Sequence, residues 1–152
     1  MEYSFKPLTS ADLGAMKSML LMFGEAFNDL HTYQDAVPSD EYLNRLLAKP
    51  DFIALAAFEG EDVVGGLCAY VFEKFEQERK EIYIYDLAVD EAHRRKGIAT
   101  RLINELRAVG KKIGAYVIIV QADKGEEDQP AIKLYESLGT KEDVFNFDIS
   151  VE

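Results

Sequence analysis

The chain has 152 residues, 48% of them apolar, the size of one ordinary globular domain over residues 1–152 with a single core. Its 28 Asp and Glu against 17 Lys and Arg give a net charge of -11, which argues against a general nucleic-acid binder and favours cationic partners drawn by a negative field. Cys68 is the one cysteine, so an intramolecular disulfide is excluded and Cys68 reads as a buried small hydrophobe. No run reaches the ~18 apolar residues of a membrane span, and no basic then apolar leader opens the chain, so a cytoplasmic location is the expectation.

Tyr3 to Lys6 alternates as a short strand, and Thr9, Ser10 and Asp12 then supply oxygens where a helix opens with unpaired N–H groups. Met16, Met19, Leu20, Phe23 and Phe27 follow at helical spacing and read as a core stripe. Residues 28–38 read as a loop. Ser39 suits the cap of a second helix, with Tyr42, Leu43, Leu46 and Leu47 on one face and Pro50 past its end. Two runs rich in β-formers, 52–58 and 63–72, flank the turn Glu59-Gly60-Glu61-Asp62 and predict a hairpin. After the charged connection 74–80, Glu81 to Val89 predicts the third strand of an antiparallel meander.

Ile98, Ala99, Leu102, Ile103, Leu106 and Val109 mark a helix expected to stop at Gly110, with Lys111 and Lys112 suited to its negative end. Ala115 to Ala122 reads as a strand and Asp123 to Gln129 as an acidic loop. Pro130 opens a helix through Leu138 that ends at Gly139, and Phe145 to Ile149 is expected to close the chain as a strand. Strand, helix and strand across 81–122 demand a parallel crossover. The fold class is therefore α+β (mixed α/β), a mixed sheet with helices on its faces.

The most informative stretch is Asp86-Leu-Ala-Val-Asp-Glu-Ala-His-Arg-Arg-Lys-Gly-Ile-Ala-Thr100. A strand ends, a basic turn follows, and a helix begins at a glycine. Unpaired N–H groups at a helix start, close backbone approach at Gly97, and the cations Arg94, Arg95 and Lys96 predict an anion site, with a solvated basic turn as the alternative. The dinucleotide fingerprint and the phosphate loop are both absent. His31 and His93 lack metal-ligand spacing with each other or with Cys68, so no metal is expected. His93, inside the basic turn, is expected to reach a phosphate or face water.

Arg94-x-x-Gly97-x-Ala99 after a strand ending Leu-Ala-Val, together with Ala131-x-x-Leu-Tyr-x-x-Leu-Gly139, resembles the two signatures of the GCN5-related N-acetyltransferase superfamily (GNAT). The order of elements matches over nearly the whole chain. The segments 52–58, 74–77, 81–89, 93–95, 97–100, 114–118, 120–123 and 147–149 are further similar to aminoglycoside 3-N-acetyltransferases of the gentamicin type. The first helix and residues 125–129 depart from that family. The resemblance implies the acyl-CoA N-acyltransferase fold: an antiparallel meander, one parallel splayed strand pair and about four helices. It also implies acetyl-CoA as co-substrate, an aminoglycoside acceptor, antibiotic resistance and a homodimer, in which a neighbouring subunit covers the sheet edge left by the short stretch after Gly139.

Acetyl transfer needs a neutral amine, a polarised thioester carbonyl and a proton for the departing thiolate. By resemblance, Asp86 beside Tyr85 is the expected general base, the Val89 N–H the expected oxyanion donor, and Tyr135 the expected acid. Coenzyme contacts are expected from Leu87, Ala88, Val89, Arg94, Arg95, Lys96, Gly97, Ile98, Ala99, Thr100, Ala131 and Tyr135. Asp128 stands where many superfamily members carry an Asn, and it cannot donate an amide hydrogen bond. Carboxylates available to bind a polycationic substrate are Glu25, Asp29, Asp35, Glu126 and Asp148, joined by Tyr85 and Asp86, with Asp148 and Asp29 favoured. Two alternatives stay open: acetylation of a polyamine or a protein amine on the same fold, and a non-catalytic acetyl-CoA sensor.

Overall fold

The computed structural model describes residues 2–152, Glu127 by its backbone alone. Residue contacts divide the chain into two compact units, one running to Gln121 and one from Ala122 onward. The first unit contains strand β1 (Ser4–Pro7), helix α1 (Leu13–Ala26), helix α2 (Asp40–Leu47), strands β2 (Phe52–Glu59), β3 (Asp62–Glu73) and β4 (Lys80–Val89), helix α3 (Ile98–Ile113) and strand β5 (Ala115–Val120). The second contains helix α4 (Gln129–Leu138). Among the described residues no helix is long and apolar enough to cross a membrane.

The five strands lie in sequence order in one sheet, antiparallel from β1 to β4 and parallel between β4 and β5. This is the mixed sheet expected from the alternation of the meander and the crossover. A two-residue turn led by Gly60 at φ +61° joins β2 to β3, a positive φ that glycine adopts without steric cost. Ser39 Oγ accepts from the Tyr42 N–H at 3.1 Å and caps α2, as its position in the sequence predicts.

Neighbouring residues of a strand point to opposite faces, so β3 feels both layers at once. A Cβ at Gly65 would stand 3.0 Å from Ile98 of α3, whereas one at Gly66 would run into the Met19 thioether of α1. Met16, Met19, Met22 and Phe23 of α1 join Leu43 and Leu47 of α2 over Ala54, Ala56, Cys68 and Ala88. Small residues on that face let α1 come close to the sheet. Under α3, Ile98, Leu102, Ile103 and Leu106 are buried, each contributing about 1.5–3 kcal/mol by leaving water.

Three expectations change. Residues 28–38 are not all loop, because His31–Asp35 winds into a single π-helical turn. Helix α3 does not stop at Gly110 but runs to Ile113, where Gly114 at φ +85° ends it. Gly110 is interior and sits against the sheet, its Cβ position 3.3 Å from Ile82 Cδ1, so it serves packing rather than termination. Residues 140–152 form no strand, since alternation alone does not supply the neighbour a strand needs.

Gly66→Ala is expected to lower stability by about 1–3 kcal/mol through overpacking, read as a fall in thermal midpoint. Combined with Met19→Ala the loss should be less than additive; full additivity would mean that the two groups do not compete for one space.

Candidate active site

The site grows out of the second half of β4. Opposite β3 the register passes from Cys68↔Asp86 to Ala69↔Ile84, which makes Tyr85 the extra residue of a β-bulge. On the other side, β5 pairs with β4 only from Lys80 to Ile84. The bulge and the loss of β5 coincide, and β4 leaves the sheet's flat register there. The Asp90 N–H donates to the Val64 carbonyl at 2.8 Å, which fixes the phase of the β3–β4 ladder. Alternation along that ladder turns the N–H groups of Leu87 and Val89 away from β3, toward the side that β5 has left.

Asp86 follows the bulge and is half-buried. Tyr33 Oη donates to its Oδ2 at 2.8 Å. Burial raises the Asp86 carboxyl above its ordinary range and the Tyr33 hydrogen bond partly offsets this by favouring the charged form. Burial also raises the Tyr33 phenol, as does its bond to Asp86, so Tyr33 stays the donor. The Tyr33 ring packs against Phe23 and Phe27, with centroids 6.2 and 5.7 Å away. It belongs to the π-helical turn, which closes over Gly24, where a Cβ would come within 3.0 Å of Tyr33 Cβ. Tyr85 is 63% exposed, its ring edge-on to Tyr70 and Tyr83. Cys68, directly across from Asp86, is buried and its thiol is pushed up, so it is no nucleophile.

Beyond β4 the chain makes a short turn and enters α3. Gly97 at φ +80° is the N-cap and provides no side-chain cap, and nothing lies within 4 Å of its Cβ position. The first N–H groups of this 16-residue helix lack a side-chain cap and stand next in the chain to the exposed Arg94, Arg95 and Lys96. Arg94 Nε donates to the Val89 carbonyl at 3.1 Å, tying the turn to the strand end. Ala99 and Thr100 are half-buried, while Ile98 and Ala88 have their side chains in the core, which leaves only their backbone for a ligand. His93 is half-buried in the turn. Its Nδ1 is 2.9 Å from Tyr3 Oη and 3.9 Å from Glu59 Oε2.

Of the expected acids in the first unit, Glu25 is exposed on α1 and Asp29 and Asp35 flank the Tyr33 turn. Asp29 accepts from the Thr32 N–H at 3.2 Å, and hydrogen bonds from Thr32, side chain first and then backbone, lower its carboxyl. Asp35 Oδ2 meets His31 Nδ1 at 3.0 Å. In the second unit, Asp128 Oδ2 accepts from the Asp123 N–H at 2.9 Å, closing the loop before α4. Ala131 and Tyr135 lie on α4, and burial followed by the charge of Asp128 pushes the Tyr135 phenol up to about 12. Glu126 and Asp148 are exposed. Among the described residues no cluster of three His, Cys, Asp or Glu is placed to hold a metal ion.

The profile of the Acetyltransferase (GNAT) family matches residues 18–140. The chain belongs to the GNAT family. Among solved structures, this GNAT chain is similar to the aminoglycoside acetyltransferase HMB0005 from an uncultured soil metagenomic sample, at 54% identity and a TM-score of 0.98 over 100% of both chains. It is similar to the soil metagenomic aminoglycoside acetyltransferase meta-AAC0020, solved in complex with sisomicin, at 30% identity and a TM-score of 0.89 over 99% of this chain and 97% of that one. The ribosomal-protein-alanine N-acetyltransferase of Brucella melitensis biovar Abortus 2308, at 22% identity and a TM-score of 0.76 over 99% and 100%, shares the fold. No match emerges among curated protein sequences.

GNAT family members use acetyl-CoA, and the open Gly97 cradle, the uncapped start of α3 and the three exposed cations fit its phosphates. The sequence reading missed Tyr33, an aromatic in a polar stretch with no periodicity, 53 residues from its partner. Tyr33→Phe removes a hydrogen bond that favours ionised Asp86, so the carboxyl should titrate at higher pH. Carbon-detected NMR of the Asp86 side chain in the free protein measures this, and an unmoved midpoint would show that the bond does not hold the carboxylate.

Proposed function

We propose that this GNAT acetyltransferase transfers the acetyl group of acetyl-CoA to an aminoglycoside amine, at the 3-amino group, and so confers resistance to drugs of the gentamicin type. The observation that carries the reading is Asp86: a half-buried carboxylate with a raised pKa, directly after the bulge at which β4 loses β5. Two aminoglycoside acetyltransferases among the similar structures, one holding sisomicin, support the acceptor class. The gentamicin-type segments of the sequence support the 3-amino position.

Acetyl-CoA supplies an acyl group activated as a thioester. Arg94, Arg95, Lys96 and the N–H groups from Gly97 to Thr100 would hold its phosphates, with Leu87, Ala88, Asp128 and Ala131 along the pantetheine. Asp86 takes the proton that the attacking amine gives up, and its raised pKa brings it closer to a base suited to neutral pH. The Val89 N–H, turned from β3, offers a hydrogen bond to the acyl oxygen as negative charge gathers there. Tyr135 holds a proton on its phenolic oxygen for the leaving sulfur. Its raised pKa keeps Tyr135 protonated at neutral pH, so the proton is present as the carbon–sulfur bond breaks, though transfer to a thiolate is then uphill and is drawn on by the sulfur's later protonation from solvent. Asp29, Asp35, Glu25, Glu126 and Asp148 meet the ammonium groups of the acceptor, with Tyr85 offering a ring face to the sugars and their charges.

Asp86→Asn should lower turnover on the order of 10²–10⁴-fold with acetyl-CoA affinity nearly unchanged. Arg94→Glu should weaken acetyl-CoA by about tenfold or more, the worth of a charge-assisted hydrogen bond. Stopped-flow turnover and calorimetry separate the two, and full activity in Asp86→Asn would remove the base.

Thiol release with gentamicin, sisomicin, kanamycin and spermidine side by side, with mass spectrometry of the products, tests the acceptor. Acetyl on the 3-amino group of gentamicin is expected. Turnover of spermidine alone would keep the chemistry and replace the substrate.

A further inference from the structure

Helices α1 and α2 cover only part of the sheet face on which Asp86 lies. Their apolar side chains close over Ala54, Ala56, Cys68 and Ala88, residues small enough to let a helix approach. On the same face, Tyr70 and Phe72 follow two and four residues after Cys68 on β3, and Tyr83 and Tyr85 precede Asp86 on β4. Tyr70, Phe72 and Tyr85 are 38%, 45% and 63% exposed, and Tyr83 is half-buried. The face is thus small-residued where helices cover it and aromatic where they do not. Contact with water calls for no such cluster, and a contiguous exposed apolar patch marks a binding surface.

The rings touch one another. Tyr83 lies opposite Tyr70 across the ladder, and its centroid is 6.1 Å from that of Phe72. Tyr83 Oη donates to Gln121 Oε1 at 2.9 Å, which holds its ring in place. Tyr85, the extra residue of the bulge, stands nearly perpendicular to Tyr70 and Tyr83, at 84° and 82° with centroids 5.9 and 6.0 Å away. The cluster therefore presents ring faces in two directions, as a corner does. Tyr85 adjoins Asp86, and Tyr83 is only about 10 Å of strand from it. Burial raises the Tyr70 and Tyr83 phenols, and the charge of Asp86 adds to this, so both hydroxyls stay protonated beside the carboxylate.

We propose that Tyr70, Phe72, Tyr83 and Tyr85 form the subsite for those sugar rings of the acceptor that do not carry the reacting amine. The proposal rests on the aminoglycoside reading of Asp86 and adds to it the surface that distinguishes acceptors by their number of rings. Chemistry and position both select an amino sugar as the occupant. The C–H groups of a pyranose pack on aromatic faces, and ammonium groups are attracted to the negative π cloud. A chain of net charge -11 concentrates such a ligand near its surface. The cluster is also continuous with Asp86, so a molecule that places one amine at the carboxylate lays its remaining rings over the tyrosines.

Steady-state kinetics and calorimetry with the three-ring sisomicin and with 2-deoxystreptamine, the single ring that bears its 3-amino group, test the proposal. Tyr70→Ala and Tyr83→Ala should each raise KM and Kd for sisomicin by roughly two- to fivefold, the worth of an exposed cation–π contact. The kcat should hold, and 2-deoxystreptamine should lose no affinity. Should 2-deoxystreptamine bind too weakly to measure, the split between KM and kcat with sisomicin decides alone. Should an alanine variant fail to fold by circular dichroism, Tyr70→Leu and Tyr83→Leu, which keep bulk without a π face, take its place. Sisomicin binding that depends on the tyrosines with no acetyl transfer would sink the acceptor reading and keep the subsite. Sisomicin binding undiminished in the variants, an equal loss for 2-deoxystreptamine, a fall in kcat alone, or no binding of sisomicin to the unaltered chain would each overturn it. So would variants that lose only self-association in sedimentation, which would give the rings to another copy.

Discussion

Past Ile84, β4 keeps β3 on one side and has no β5 partner on the other. Backbone N–H and C=O groups are obligatory hydrogen-bonding groups, and a strand that loses a neighbour must find other partners for them. Here the Val89 carbonyl takes Arg94, and the Leu87 and Val89 N–H groups face the gap. The bulge at Tyr85 belongs to the same event, because an extra residue bends and twists the strand that carries it. What elsewhere would be a defect in a sheet becomes a row of oriented dipoles beside a half-buried carboxylate.

Charge is segregated on the same short stretch. The chain as a whole is acidic at -11, which suits a polycation arriving from solution. Arg94, Arg95 and Lys96 are a local exception, placed where the opening of α3 already favours anions. Arg95 at φ +62° is in a conformation that a residue with a Cβ rarely adopts, at a cost of about 1–2 kcal/mol. That strain lies in the turn that carries the cations, and the Arg94 bond to β4 helps hold it. A uniformly acidic surface would repel phosphates; local segregation lets an acidic chain present cations at the start of α3.

Much of this was legible because its cause is local. The change from helical to alternating period marks β2 to β4, Ser39 marks the start of α2, and the Arg94 to Ala99 pattern identifies the helix start with no knowledge of its surroundings. What depends on distant partners was not legible. Gly110 looks like a helix stop until Ile82 is known to lie against it. The Tyr3 contact with the His93 ring, across 90 positions, carries no local signal. The alternation of residues 145–151 is plain in the sequence, but whether a strand forms is settled by a neighbour, and no rule of spacing names one.

Tyr33 gives that distinction a functional side. Its hydrogen bond to Asp86 spans two segments that meet only because α1 lies close on the sheet. The closeness rests on small residues: Gly66 under Met19, Cys68 across from Asp86, and Gly24 beneath the turn that carries Tyr33. None of these reaches the open side of the site. A side chain added at Gly24 would press the turn back by a few tenths of an ångström, one at Gly66 would force the Met19 side chain or α1 itself to move, and a hydrogen bond of 2.8 Å weakens steeply as its geometry is lost. The packing of the first helix therefore bears on the ionisation of Asp86 as well as on the stability of the core.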